Sequence, residues 1–134
     1  MLQKAMGTKI SCTQNDTETV IGRLRSISEI RADSEAVDVT TLDAPYGYRM
    51  YIQGLKELGE VTLEGFHEAG EAGQNALRAL YESGAAVPFT VTFPDQTTAA
   101  FTAFVKAHAL GAAQVDGAVG FTAVLRLTGG VTIQ

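Results

Sequence analysis

Residues 73–93 read GQNALRALYESGAAVPFTVTF, and the hydrophobic period changes within this stretch. From Gly73 to Tyr81 the apolar positions recur every three or four residues, which predicts an amphipathic helix. Gly84 follows the last apolar position and is a typical C-terminal stop for a helix. From Val87 to Phe93 apolar and polar residues alternate, which predicts a β strand with one buried face. A strong helix therefore leads directly into a strand.

Strand patterns dominate the chain on both sides of this helix. Alternation predicts strands at 20–30, 36–41, 60–66, 87–93, 99–108 and 119–128, and a tail at 131–133 can add one more. The order β-β-β-α-β-β-β excludes a doubly wound α/β fold. It predicts a mainly β protein, a β-sandwich or partly closed barrel with one flanking α-helix and a long inter-strand arm. We expect one domain over 1–134, with an N-terminal arm at 1–17 and a long assembly loop at 40–59.

The composition is that of an ordinary folded domain. Of 134 residues, 46% are hydrophobic and 19% are charged, and the net charge is −5. The charges are interspersed, and the absence of a basic block argues against tight phosphate binding. Cys12 is the only cysteine, so no internal disulfide can form. No apolar run approaches the roughly 18 to 20 residues of a membrane span, and residues 1–7 lack a secretory signal, so we expect folding in a cytoplasm.

The residues that usually carry chemistry are scattered. His67 and His108 lack the spacing of metal ligands, and we expect both to be solvated at strand ends. The carboxylate pairs Glu57 with Glu60 and Glu68 with Glu71 are predicted to be ordinary surface charges. No phosphate-binding glycine loop and no nucleophile elbow occurs. The sequence predicts no enzyme, no cofactor and no metal site.

The long loop is the least ordinary segment. Residues 40–59, TTLDAPYGYRMYIQGLKELG, show no clear period, and loops of this length are usually functional or disordered. Aromatic residues and Met are enriched at interfaces, so we predict a partner surface. A loop folded over its own core is the alternative. The predicted inter-subunit residues are Leu42, Pro45, Tyr46, Tyr48, Met50, Tyr51 and Ile52.

The order of these pieces resembles the major tail tube proteins of siphophages, long-tailed bacteriophages. The resemblance spans roughly residues 18–133 and rests on five segments. These are IGRLRSISEI, EAVDVTTLDAPYGYRMYIQGLKELGEVTLEGF, GQNALRALYESG, VPFTVTFPD and VGFTAVLRLTGGVTI. It implies a structural virion subunit, with six copies forming a ring whose inner sheets close around a lumen. It also implies that the arm reaches a neighbouring subunit or ring.

The implied partners are further copies of the chain, a tape-measure protein, and the tail terminator and distal tail proteins. Double-stranded DNA would pass transiently through a tube assembled in the bacterial cytoplasm. If four strands line the lumen, alternation places polar side chains there, opposite a buried set of Val37, Val39, Val61 and Leu63. The lumen candidates are Asp38, Thr40, Glu60, Thr62, Glu64, Lys106, Thr122 and Arg126. Contractile-tail and type VI secretion-like tubes share this fold, and a small β-barrel ligand-binding module is an alternative of another class.

Overall fold

The computed structural model describes residues 6–111, 117 and 119–134. Within them the chain forms nine strands, one α-helix and a single 3-10 turn at Pro45–Gly47. The elements are β1 Lys9–Gln14, β2 Thr17–Val20, β3 Leu24–Ile27, β4 Ala32–Asp38, β5 Tyr51–Leu58, β6 Glu60–Phe66, α1 Ala72–Ser83, β7 Val87–Thr92, β8 Thr98–Leu110 and β9 Gly120–Ile133. Among these residues, no helix is long and apolar enough to cross a membrane.

Seven strands form one curled, half-barrel sheet in the order β2-β1-β7-β8-β9-β6-β3. Strands β4 and β5 form a separate two-stranded sheet, and every pairing in both sheets is antiparallel. The seven-stranded sheet leaves β2 and β3 at its two edges, each only four residues long. The mainly β fold with one helix agrees with the class predicted from the alternation.

The core lies between the concave face of this sheet and α1. Leu77 and Leu80 of the helix are completely buried, and they cover the apolar side chains that alternate along β6 to β9. The rings of Phe89 and Phe101 stack with centroids 5.9 Å apart at its centre. The predicted helix is confirmed, and Gly84 ends it in the left-handed conformation at φ 72°. Strand β6 has the predicted bounds, and its Val61 and Leu63 are buried as expected.

The strand predicted at 20–30 is two strands on opposite edges of the sheet. Residues 21–23 carry the chain across the open side of the core, with Arg23 at φ 62°. They pass so close to two glycines that an added Cβ would lie 2.3 Å from Arg23 O at Gly65 and 2.4 Å from Ile21 Cα at Gly73. Arg23, Leu24 and Arg25 alternate in polarity at the end of the crossing, which makes residues 20–30 resemble one continuous strand in the sequence.

Two terminal segments also differ from their predictions. Residues 9–14 of the predicted N-terminal arm form β1, which pairs with β7 and buries Ile10 and Cys12 in the core. Residues 1–5 of that arm lie outside the described part of the chain. The predicted tail strand at 131–133 is the end of β9. Strand β9 continues past a bulge at Gly129 and Gly130, so that Phe101 of β8 pairs with Val131 while the next residue, Thr102, pairs with Thr128.

Candidate assembly surface

The segment predicted as a loop at 40–59 is largely a projecting β-ribbon. Strand β5 occupies its second half and pairs with β4 from Ala32↔Leu58 to Asp38↔Tyr51. The ribbon continues out of the main sheet, because Gly59 N donates to Arg31 O at 3.2 Å and Ser28 N donates to Thr62 O at 2.9 Å. Strands β3 and β4 therefore form one arm of a bent hairpin, in which β3 pairs with β6 and β4 pairs with β5.

The tip of the ribbon, residues 39–50, is held closed at its base. Val39 N donates to Met50 O at 2.9 Å, and Met50 N donates to Thr40 Oγ1 at 2.8 Å. The 3-10 turn lies beyond this base, with Tyr46 at φ 56°. A non-glycine residue in this conformation carries strain that surrounding structure normally offsets.

The ribbon exposes an unusual amount of apolar surface. Leu42 is fully exposed, Tyr46 is 97% exposed and Tyr48 is 74% exposed. Met50, Tyr51 and Ile52 are also exposed, and Pro45 lies in the exposed turn. All seven predicted inter-subunit residues thus lie together on the tip or the start of β5. Exposed apolar patches of this kind mark interaction sites.

The prediction that Val37 and Val39 are buried is wrong for the single chain. Val37 is 38% exposed and Val39 is 37% exposed, because among the described residues no second layer of structure covers either face of β4. Alternation identifies a strand with two chemically different faces, but the layer that covers one face is a property of the tertiary structure.

Six of the eight predicted lumen residues share one face of the main sheet. They are Glu60, Thr62, Glu64, Lys106, Thr122 and Arg126, and all lie opposite the core. Register places Glu60 beside Arg126, and Glu64 beside Thr122. We call the face of the main sheet that carries these six residues the polar face. Asp38 and Thr40 are not brought to it, since both lie on the ribbon, where Thr40 N donates to Asp38 Oδ1 at 2.8 Å.

Opposite charges alternate across the polar face. The ammonium of Lys106 forms an ion pair and hydrogen bond with Glu60, and this holds the pKa of the Glu60 carboxyl below its usual value, with Arg126 adding to the effect. Arg126 also lies 3.7 Å from the Glu57 carboxylate. Glu64 has no ion pair within the described residues. The two carboxylates on the polar face, Glu60 and Glu64, are therefore matched in number by its two cations, Lys106 and Arg126.

The sequence candidates His67, His108 and Glu68 lie at positions with a structural explanation. His67 is only partly exposed, and its Nδ1 is buried without a hydrogen-bond partner, so the prediction of a solvated side chain is wrong. His108 is also half-buried, with its ring edge-on to Tyr81 at 4.8 Å. Glu68 pairs with Arg23 at 2.7 Å, which lowers the pKa of Glu68 through the hydrogen bond and the charge of Arg23. Across residues 6–111, 117 and 119–134, no three His, Cys, Asp or Glu side chains cluster as a metal site.

One feature of the surface was missed by sequence reasoning. An apolar groove of about 790 Å³ opens between β3 and the far end of the sheet. Its walls include Leu24, Ile27, Ile30, Phe93 and Ile133. Apolar residues recur every third position at 24, 27 and 30, and this spacing is the available signal of the groove wall. The strand predicted over 20–30 does not account for it. We call this cavity the β3 groove.

A curled antiparallel sheet with two open edges, a projecting apolar ribbon and a flanking helix defines a structural protein that assembles through its surface. The model of the lambda phage tail tube protein family matches residues 4–130. The chain belongs to the lambda phage tail tube protein family, and its role is that of a structural tail tube protein.

Solved structures with the same fold come from several tails. The tail of an empty gene transfer agent particle is 19% identical, with 99% of each chain covered and a TM-score of 0.82. The SPP1 tail tube is 17% identical, with 97% of this chain and 78% of that chain covered and a TM-score of 0.71. A chain of the anti-feeding prophage baseplate is 13% identical, with 100% and 97% covered and a TM-score of 0.75. Identities this low show the fold alone. No curated protein gives a significant match.

Proposed function

We propose that six copies of the chain form a ring, and that rings stack into the tail tube of a virion through which double-stranded DNA passes. The observation that carries this proposal is the ribbon. A strand pair uncovered on both faces, with fully exposed Leu42 and Tyr46, gains its missing burial from a neighbouring copy. Sixfold symmetry is the symmetry of the gene transfer agent tail. A head-to-tail interface that closes at six subunits also removes exposed sheet edges.

In this assembly the polar face lines the lumen. Its short side chains, among them Thr62 and Thr122, and its balanced charges suit a wall along which DNA moves without binding. Further partners are the tape-measure protein inside the tube and the terminator and distal tail proteins at its ends. The tube forms in the host cytoplasm, and the subunit performs no catalysis. A non-contractile tail is the first candidate, and the fold shared with a chain of an extracellular contractile injection system keeps the tube of a contractile tail as the second.

The ribbon tip allows a sharp test. Because Val39 N donates to Met50 O and so continues the register of Asp38↔Tyr51, residues 40–49 can be replaced by Asn-Gly, which favours a tight hairpin turn and preserves the β4–β5 pairing. We expect this variant to melt like the wild type but to remain monomeric. Ala79→Lys, on the exposed side of α1, serves as the folded control that still assembles.

Electron microscopy and sedimentation at rising protein concentration measure the assembly. A wild-type protein that forms neither rings nor tubes at any concentration contradicts the proposed function. A shortened variant that polymerises like the wild type contradicts the role of the ribbon tip, while leaving the tube itself in place.

A further inference from the structure

The β3 groove is a preformed apolar cavity that the described residues, 6–111, 117 and 119–134, do not fill. Its volume of about 790 Å³ lies within the range of about 300–1,000 Å³ that binding pockets usually span. Leu24, Ile27 and Ile30 are partly buried at its wall, and Ile133, 69% exposed, stands at its mouth. The groove also carries one cation, Arg25, and one anion, Glu29. Neither makes an ion pair within the described part of the chain.

The ribbon tip of the same chain cannot reach this groove. Ala32, the first residue of β4, lines the groove, and the ribbon then runs outward as a paired strand to Asp38. Six residue steps of up to about 3.3 Å each span about 20 Å between Ala32 and Asp38, and the tip follows Asp38 at the outer end of the ribbon. Pairing with β5 on both sides of the bulge between Ser34 and Ala36 keeps β4 extended away from the groove.

The tip and the groove match in chemistry. The tip presents Leu42, Tyr46 and Tyr48, three large side chains that are each at least 74% exposed. It also carries Asp43 and Arg49, one of each charge, and Arg49 reaches its own nearest carboxylate only at 3.9 Å. An apolar segment with one anion and one cation is complementary to an apolar groove with one cation and one anion.

We propose that the β3 groove is the receptor for the ribbon tip of a second copy of this chain. The inference rests on the proposed function and names the two surfaces that join there. Each copy then offers one tip and one groove, so the contact is head-to-tail and propagates from subunit to subunit. Burial of the tip aromatics supplies the apolar contact, and the two charge pairs fix the direction in which the tip enters.

Cross-linking between different copies tests this contact directly. Thr41→Cys on the tip and Ile133→Cys at the groove mouth are made in separate proteins, mixed, allowed to assemble and treated with a short bis-maleimide. The natural Cys12 is 1% exposed, and burial raises the pKa of its thiol, so it stays silent. Ala79→Cys on α1 replaces the groove variant in the control mixture. We expect peptide mapping by mass spectrometry to find the 41–133 link at least tenfold more often than the 41–79 link.

A second variant measures the energy of the contact. Ile133→Lys places a charge at the groove mouth, at an exposed position where the fold tolerates it. We expect unchanged melting and a concentration for assembly at least roughly tenfold higher than that of Ala79→Lys. Tubes that assemble with no excess of the 41–133 link, or with Ile133→Lys behaving like the control, overturn the groove contact and leave the tube role standing. Failure of the wild type to assemble overturns the proposed function and this contact with it.

Discussion

At the scale of single residues, Gln74 joins three parts of the chain. Its side chain is fully buried, and its Nε2 donates to Phe66 O at 2.8 Å and to Gly22 O at 3.4 Å, while Glu68 N donates to its Oε1 at 3.2 Å. Glu71 completes the cluster, since its carboxylate accepts from Gln74 N and Gly22 N and caps α1. These bonds hold the crossing segment against the helix and the end of β6.

Replacing Gln74 by Leu keeps the volume and removes the three hydrogen bonds of its side-chain amide, while the Glu71 carboxylate keeps its bonds to the backbone. Buried backbone groups left without partners cost about 1–3 kcal/mol each, so we expect the free energy of unfolding to fall by about 3 kcal/mol. Asn75→Leu, one position along on the exposed side of the helix, is the matched control and is expected to change stability by less than about 0.5 kcal/mol. Thermal and denaturant unfolding followed by circular dichroism compare the two. Equal melting of both variants would show that the Gln74 cluster contributes nothing to stability.

Residue roles were predictable where a periodic pattern settles them. Val61 and Leu63 are buried as alternation predicted, and Leu77 and Leu80 as helical spacing predicted. Gln74 was not identified, because a polar residue beside an apolar stripe gives no sign that backbone groups distant in sequence need its amide. The burial of His67 Nδ1 is likewise a tertiary effect without a local signal.

At the scale of elements, the helix and the ribbon differ in how much the sequence reveals. Helix α1 buries one stripe against its own sheet, so its period is visible and its end at Gly84 follows. The sequence of β5, YIQGLKEL, shows no clear period and predicts a loop, because neither face of the strand is covered in the single chain except at Leu58. A strand whose faces are both exposed does not need alternation, and YIQGLKEL lacks it, whereas the equally exposed β4 and the residue after it show it at Val37 and Val39.

The burial of the helix makes a firm prediction. Leu80→Asp puts a carboxylate at a position with no exposed surface and no cation nearby in the helix stripe, which costs several kcal/mol, about 3–5. Ala79→Asp adds the same charge at the neighbouring exposed position and is expected to melt within a few degrees of the wild type. A melting temperature of Leu80→Asp close to that of Ala79→Asp would show that the helix does not cover the core.

At the scale of the whole molecule, charge is distributed so that the proposed lumen differs from the rest of the surface. The chain carries a net charge of −5, yet on the polar face Glu60 and Glu64 are balanced by Lys106 and Arg126. A ring of six repeats each charge six times, so small imbalances become rings of charge. Alternation placed six of the eight candidates on this face, but the pairing of Glu60 with Lys106 depends on the register of β6, β9 and β8.

This pairing decides which residue tests the lumen cleanly. Changing Glu60 would also free Lys106 and confuse two effects, whereas Glu64 makes no ion pair within the described residues and lies on the same face. We expect Glu64→Lys virions to assemble normal tubes that carry an added ring of positive charge.

DNA phosphates are attracted to such a ring within about a Debye length of 8 Å at physiological salt. Delivery of DNA should slow at least a few-fold at about 50 mM salt and recover by about 200 mM, because counterions weaken phosphate contacts steeply over that range. Glu82→Lys, on the exposed side of α1, makes the same charge change away from the polar face and should leave delivery unchanged at both salt concentrations. Ejection kinetics followed by a DNA-binding dye measure both variants. Labelling that reaches position 64 from outside an intact tube, together with unchanged ejection, would place the polar face on the exterior and reverse the orientation of the subunit in the ring.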